Sequence, residues 1–417
     1  MKYSWSILLS VATLLSFRGF SQEKALSGFK KKDLTTTDLQ TFYSYYTQDG
    51  NHAAVTGGKG SEKLVVYGVG SNLDITKKND HHILANVQVD IISSASTDKI
   101  DFVMSSASRH DGHVSTQIGY KYEGKGKFSW GGKYLFGIES DYFSNGFNIH
   151  AIFSNADRSR DMTIVSELFF DDLRWGRLNS SQDYKPTTLI YPSELRYKKW
   201  FTVHHRHSYT SSISFRQDLT INSTIQVEAG ITYQEGLLST PFHRVYFRDS
   251  DSVKVEKLPG IKTSIPLSIR YHKFLSNRLI LKSGYRFYQD NFGVKAHTLT
   301  LEVPVKINQF KSLIPFARMH YQSASTYFSP FQEHNLSDTY YTSDYDLSER
   351  WTFSTGLGAS FSPQEKINED ECIFQRFVVR YSYFWRNDSL HGHTISTGFG
   401  VKKNRSSKKQ YEDTRLN

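Results

Sequence analysis

The chain has 417 residues, a formal net charge of +10 and a single cysteine, Cys372. An intramolecular disulfide is therefore excluded, and the charge does not point to nucleic acid. Residues 1–21 contribute +2 and residues 402–417 contribute +4, which leaves +4 for the long body between them and no concentrated basic face of the kind phosphate binding requires. Aromatic residues make up 15%, with 29 Phe and 26 Tyr against 6 Trp, a profile that suits an exported barrel with aromatic girdles.

The first 21 residues read as a secretory signal peptide, cleaved near Ser21. Lys2 precedes an apolar run from Ile7 to Leu15, then come the small residues Gly19 and Ser21 before Gln22; the run is too short for an anchor. No later stretch supplies the roughly 18 apolar residues of a spanning helix, so a membrane form of this chain has to be a barrel. Residues 22–80 read as a periplasmic lead-in or plug segment, 81–401 as the barrel and 402–417 as a basic periplasmic tail.

Alternation with period two, which places successive side chains on opposite faces of a strand, is weak at 63–72 and clear from 82–94 onward. Residues 96–112 lack periodicity and read as a long loop. Strands follow in which Ile118 and Tyr120, then Trp130 and Tyr134, then Phe147, Ile149 and Phe153, then Met162, Ile164 and Leu168 share the apolar face of their segment. Residues 200–217 make a longer strand. At 223–234, Ile225, Val227, Ala229 and Ile231 oppose Thr224, Gln226, Glu228 and Thr232. Two runs meet at Asp290-Asn291-Phe292-Gly293, a polar, Gly-containing break that closes a tight hairpin. The C-terminal third keeps the same split, with Trp351, Phe353 and Leu357, then Phe377, Val379, Tyr381 and Trp385, then Ile395 and Phe399 on one face.

A soluble sandwich also alternates, but a clean apolar-out, polar-in division on nearly every strand suits a closed membrane barrel. Short connections at 155–160, 218–222, 274–277 and 307–311 interleave with long ones at 172–199, 235–262 and 330–341. Such barrels keep short turns toward the periplasm and long loops outside. The reading is an all-β, closed antiparallel transmembrane β-barrel of about fourteen strands beginning at His82, with twelve or sixteen as alternatives. The run at 63–72 is set outside the barrel.

Several phrases, in order along the chain, carry a family resemblance. They are Ile91 to Ser96, Glu139-Ser140-Asp141-Tyr142, Gly236 to Phe242, Tyr285-Arg286-Phe287-Tyr288 to Gly293, Tyr321-Gln322-Ser323-Ala324 and Ser343-Asp344-Tyr345-Asp346-Leu347-Ser348. Together they resemble a family of Gram-negative outer-membrane barrels catalogued only as a domain of unknown function. Members often carry Leu-Ser-Asp-Pro-Tyr where this chain has Leu238-Ser239-Thr240-Pro241-Phe242, so an acid's role in that loop does not transfer. The resemblance implies no enzymatic activity. Neighbouring genes in the family often encode a flavin-attaching transferase and a thioredoxin-like protein, which implies an envelope redox setting.

Chemistry-bearing groups were weighed against plain structural roles. The glycine pairs Gly57-Gly58 and Gly68-Val69-Gly70 do not open a helix after a strand, so they are not a phosphate loop. His205 and His207 share a strand face, but two ligands do not complete a metal site; they, like His391 and His393, read as membrane-edge girdle residues. Ser343, Asp344 and His320 would offer a serine hydrolase its groups, yet a Gly-x-Ser-x-Gly elbow is missing. No enzyme, no cofactor and no metal is expected.

The informative constellation is one of mixed charge. Parity places Arg286, Tyr288, Arg318, His320, Asp344, Asp346 and Arg350 on the lumen side, toward the outer ends of their strands, where ionisable residues line or seal a path. In this reading Arg286 and Arg318 face Asp344 and Asp346 across a polar constriction. The function expected is a channel or transport-type outer-membrane barrel, its partners being outer-membrane lipid and a small solute or ion. The alternative is a non-conducting scaffold that docks a periplasmic, redox-type partner protein.

Overall fold

The computed structural model describes residues 34–406, apart from 79, 95–110, 125–126, 140–142, 174–204, 241–242, 249, 252, 364 and 367–371. The segment read as a signal peptide, most of the 96–112 loop and the end of the basic tail lie outside the described residues.

Among the described residues twenty strands form, in chain order: β1 (Leu34–Asp49), β2 (Leu64–Lys77), β3 (His81–Ser94), β4 (Asp111–Glu123), β5 (Phe128–Ile138), β6 (Phe143–Ser154), β7 (Arg160–Asp172), β8 (His205–Thr220), β9 (Ser223–Gly236), β10 (Arg244–Tyr246), β11 (Val253–Val255), β12 (Ile261–Phe274), β13 (Ile280–Asp290), β14 (Lys295–Glu302), β15 (Val305–Lys306), β16 (Lys311–Gln322), β17 (Arg350–Phe361), β18 (Glu365–Lys366), β19 (Cys372–Arg386) and β20 (His391–Ser406). Eighteen belong to one sheet and β10 and β11 pair separately. Since β15 and β18 only extend the edges of β14 and β17 along β16 and β19, the sheet has sixteen staves. It closes because β1 pairs antiparallel with β20, from Leu34 opposite Ser406 to Asp49 opposite His391.

Sixteen is one of the two alternatives to fourteen, and the boundary at residue 80 needs correction. Residues 34–49 and 64–77 are staves, paired with each other over Thr36–Gln48 and Leu64–Thr76. Each is needed for closure, because a spanning sheet with open edges would leave unpaired backbone groups in lipid. The tail is likewise shorter than expected, since β20 runs to Ser406.

The outer face is apolar as the parity required. Ile118, Ile149, Ile231, Leu299, Leu357 and Ile395 stand exposed on it, which for a closed sheet is the surface that lipid covers. Where lipid gives way to headgroups, aromatic rings gather. At the end of the long loops Phe287, His297, Tyr321 and Trp351 lie in register on four consecutive strands, with Tyr285 and His297 hydrogen-bonded at 2.8 Å. His207 packs against Phe170 and Tyr209 in the same manner, and His393 meets the Tyr381 hydroxyl at 2.9 Å. The fold is thus a closed antiparallel transmembrane β-barrel.

The hairpin at 290–294 is as tight as its sequence suggests. Asp290 Oδ1 accepts the backbone N–H of both Phe292 and Val294 at 3.0 Å, and Gly293 takes a φ of +88° that a side chain would resist. On the lumen side Gly356 makes room for a ring: a Cβ there would stand 2.3 Å from Phe316 Cζ. Phe316 is in turn covered by the Arg380 guanidinium, 4.4 Å from its centroid.

Candidate functional site: the capped mouth and the charged lumen

Three connections at one end of the barrel, 50–63, 237–260 and 323–349, fold on one another. Val245, Phe247 and Tyr341 form their buried core, with Phe247 and Tyr341 edge to face at 5.1 Å. Bridges tie Phe247 to His334 and Lys257 to Tyr341, and His52 from the first connection stacks on Tyr345 at 3.8 Å. Loops that bury such a core are a structured cap over the mouth, a finding that strand patterning could not anticipate.

The segment 344–348 carries the cap to the barrel wall. Asp344 caps the short 3-10 turn Tyr345–Leu347 by accepting the Asp346 N–H, so Asp346 projects from a fixed backbone. Asp346 Oδ1 receives Arg350 Nη1 at 3.0 Å and Arg386 Nη1 at 2.7 Å. Both guanidiniums also donate to the Tyr345 carbonyl, and Arg386 Nε reaches Asp388 at 3.0 Å. Arg386 is 7% exposed and Asp388 10%, whereas Asp346 exposes 67% of its side chain. The arginines are therefore anchors, and Asp346 is the charge offered to the space beneath the cap.

That space is a cavity of about 510 Å³ lined by Tyr46, Glu62, Arg318, His320, Asp346 and Arg386, among others. Tyr46 and Phe384 stack across its wall at 6.1 Å, and Tyr46 donates to Gln48 at 2.6 Å. Burial pushes the carboxyl pKa of Glu62, in the first connection, above its ordinary value, against the His52 N–H and the Arg386 charge that lower it. His320 Nδ1 lies 2.8 Å from the Thr298 hydroxyl.

Arg318 lines a second, larger cavity as well, of about 890 Å³, in the barrel interior. Its ionisable walls carry Arg270, Lys282, Arg286, Arg318 and Arg380 against Glu167, Glu228 and Glu302, with His272 beside them. Three of the bases are paired: Arg270 with Glu228 at 3.2 Å, and Lys282 and Arg380 with the two oxygens of Glu302, both at 2.9 Å. Arg286 and Arg318 have no acidic partner within ion-pair distance among the described residues.

The structure thus brings Asp346, Arg350, Arg318 and His320 around one cavity and places Arg286 in the next. Two expectations need correction. Asp346 pairs with Arg350 and Arg386 rather than with Arg286 or Arg318, and Asp344 faces His243 Nδ1 at 3.6 Å instead. Tyr288 does not line that cavity: it lies at the same end, in register with Ala296, and its hydroxyl donates to Asp290 at 2.9 Å. Asp344 faces His243, His320 meets the Thr298 hydroxyl and Ser343 Oγ has no hydrogen-bond partner, so Ser343, Asp344 and His320 are not hydrogen-bonded to one another. Arg386, which sequence reasoning missed, had a signal, because it shares the lumen parity of Arg376 and Arg380 on its strand. Its partner in the loop had none.

A family model described as "Protein of unknown function (DUF3570)" matches residues 96–370. The chain belongs to that family. A search of curated proteins gave no significant match. Among solved structures the chain is similar to a BenF-like porin from Pseudomonas fluorescens Pf-5 (7% identity, TM-score 0.43, covering 88% of this chain and 98% of that one). It is also similar to the outer membrane protein opdK from Pseudomonas aeruginosa (7%, 0.39, 88% and 99%) and to a bacterial polysaccharide outer membrane secretin (10%, 0.45, 88% and 98%). At these scores the likenesses carry no argument about solute or mechanism, which rest on the chain's own residues.

Proposed function

We propose that this protein is an outer-membrane channel for small solutes, with its capped end outward, and that its lumen favours anions. The observation that carries the reading is the pair Arg286 and Arg318. Two guanidiniums stand without carboxylate partners among the described residues, in a cavity whose other arginines and lysine are paired, and Arg318 borders both the mouth cavity and the interior one. A charge held inside a barrel and left unpaired attracts a mobile counter-ion, and rings of charged side chains set ion preference in pores. Asp346 beneath the cap acts as the opposing, cation-attracting element at the entrance. The constriction is then the ring of Asp346, Arg350, Arg386, Arg318 and His320, with Arg286 below it; Asp344 supports the backbone that presents Asp346.

The test is the reversal potential of the reconstituted barrel in a salt gradient. Wild type is expected to favour the anion, Arg286→Gln with Arg318→Gln to move the potential toward the cation side, and Asp346→Asn to move it further toward the anion. An unchanged potential in the double arginine variant would put both guanidiniums outside the ion path.

A further inference from the structure

The cap holds a second group of ionisable side chains that the solute path does not use. His243 and Glu256 stand opposite each other at the base of the β10–β11 hairpin, where the Glu256 N–H donates to the His243 carbonyl at 2.9 Å and continues the ladder one step beyond Arg244 and Val255. Directly opposed residues put their side chains close together. Lys257 and Tyr341 then exchange backbone hydrogen bonds at 3.0 and 2.8 Å, so the chain that follows Tyr341 runs along this hairpin and delivers Asp344. Three residues far apart in sequence are brought to one point by a small sheet.

Their donor atoms all lie within 4.8 Å of one another. His243 Nδ1 is 3.7 Å from Glu256 Oε1 and 3.6 Å from Asp344 Oδ2, too long for hydrogen bonds, and that nitrogen is buried with no hydrogen-bond partner. A tetrahedral ion with bonds of about 2.1 Å spaces its ligands about 3.4 Å apart, within a few tenths of an ångström of these two separations. The carboxylates are held from behind, as ligands usually are. Glu256 Oε2 accepts the Thr240 N–H at 2.6 Å, Glu256 Oε1 accepts the Thr342 hydroxyl, and Asp344 Oδ1 accepts the Asp346 N–H at 2.8 Å, leaving Asp344 Oδ2 turned toward His243.

Charge supplies the second argument. Glu256 is 2% exposed and Asp344 23%, and among the described residues no lysine or arginine pairs with either. A buried carboxylate pair is costly unless a cation meets it. One imidazole and two carboxylates suit a zinc-class ion, whereas calcium prefers six to eight oxygens.

We propose that His243 Nδ1, Glu256 Oε1 and Asp344 Oδ2 bind a divalent cation of the zinc class, which clasps the β9–β12 connection to the β16–β17 connection across the mouth. Such a clasp would fix the backbone from which Asp346 projects.

The test uses the full-length barrel folded in detergent, stripped with a chelator and dialysed against zinc, its folding checked by altered gel migration when unheated. Wild type should hold one zinc per chain at micromolar free zinc. His243→Ala and Asp344→Asn should each weaken binding by more than about 100-fold, since loss of a ligand exceeds the 10- to 100-fold cost of losing an outer support. His243→Cys keeps a ligand, so it should retain binding and give the cobalt-loaded protein a thiolate charge-transfer band. Equal zinc binding by wild type and His243→Ala would overturn the site, as would the absence of binding in wild type.

Discussion

Placing an arginine at Ala229 should unfold or stall the barrel, while the same residue three positions later should be accepted. Ala229 lies at the middle of β9, opposite Ile213 and Leu267 on its two neighbours, on the face where Val227 and Ile231 stand exposed to lipid. A guanidinium at the bilayer midplane costs roughly 2 to 4 kcal/mol on a barrel surface. Thr232 points the other way: its hydroxyl meets Thr210 at 3.0 Å, it lines the interior cavity and Glu228 lies on the same wall, so an arginine there has water and a carboxylate. The checks are the denaturant midpoint of refolded protein and the heat-dependent gel shift. Equal loss at both positions would mean that the faces are assigned wrongly.

Removing Arg386 should loosen the mouth without opening the sheet. Its guanidinium joins Asp388 on its own hairpin to Asp346 and the Tyr345 carbonyl of the cap, and it is the most buried charge of that network. Breaking a buried pair from one side costs about 3 to 5 kcal/mol; since Asp346 keeps Arg350 and faces the cavity, Arg386→Ala belongs at the low end. About 3 kcal/mol taken from local stability raises the open population of the connection roughly 100-fold. Cleavage by chymotrypsin between Phe328 and Leu347 in the folded barrel should quicken by that order. The ladder from β17 through β19 to β20 is untouched, so the unheated gel band should remain. An unchanged cleavage rate would show that the cap is held by its apolar core alone.

Much of this was legible in the chain. Alternation gave most staves from β4 onward their lipid face, because Ile, Leu, Val and Phe there contrast with Ser, Thr, Gly and charged residues. It failed for β1, where outward Tyr43 and Tyr45 alternate with inward Phe42 and Tyr46, so that aromatic residues occupy both faces and the contrast vanishes. β2 was half legible, since its lumen face is partly Gly68 and Gly70 and its partner β1 carries no such contrast. Lumen arginines could be named from parity, but their partners could not. Whether Arg286 or Arg386 reaches Asp346 is decided by how the connection at 323–349 folds inward, and the meeting of His243, Glu256 and Asp344 depends on backbone bridges between loops, for which no short-range pattern exists.

A solute path under the cap and past Arg318 and Arg286 has to carry current. It is tested most directly by conductance across planar bilayers, comparing wild type with Arg386→Ala, both shown to be folded. Discrete steps are expected for wild type, with an anion-favouring reversal potential, and more frequent or larger steps once the cap is loosened. Silence from both folded barrels would contradict it and leave a scaffold with a sealed lumen.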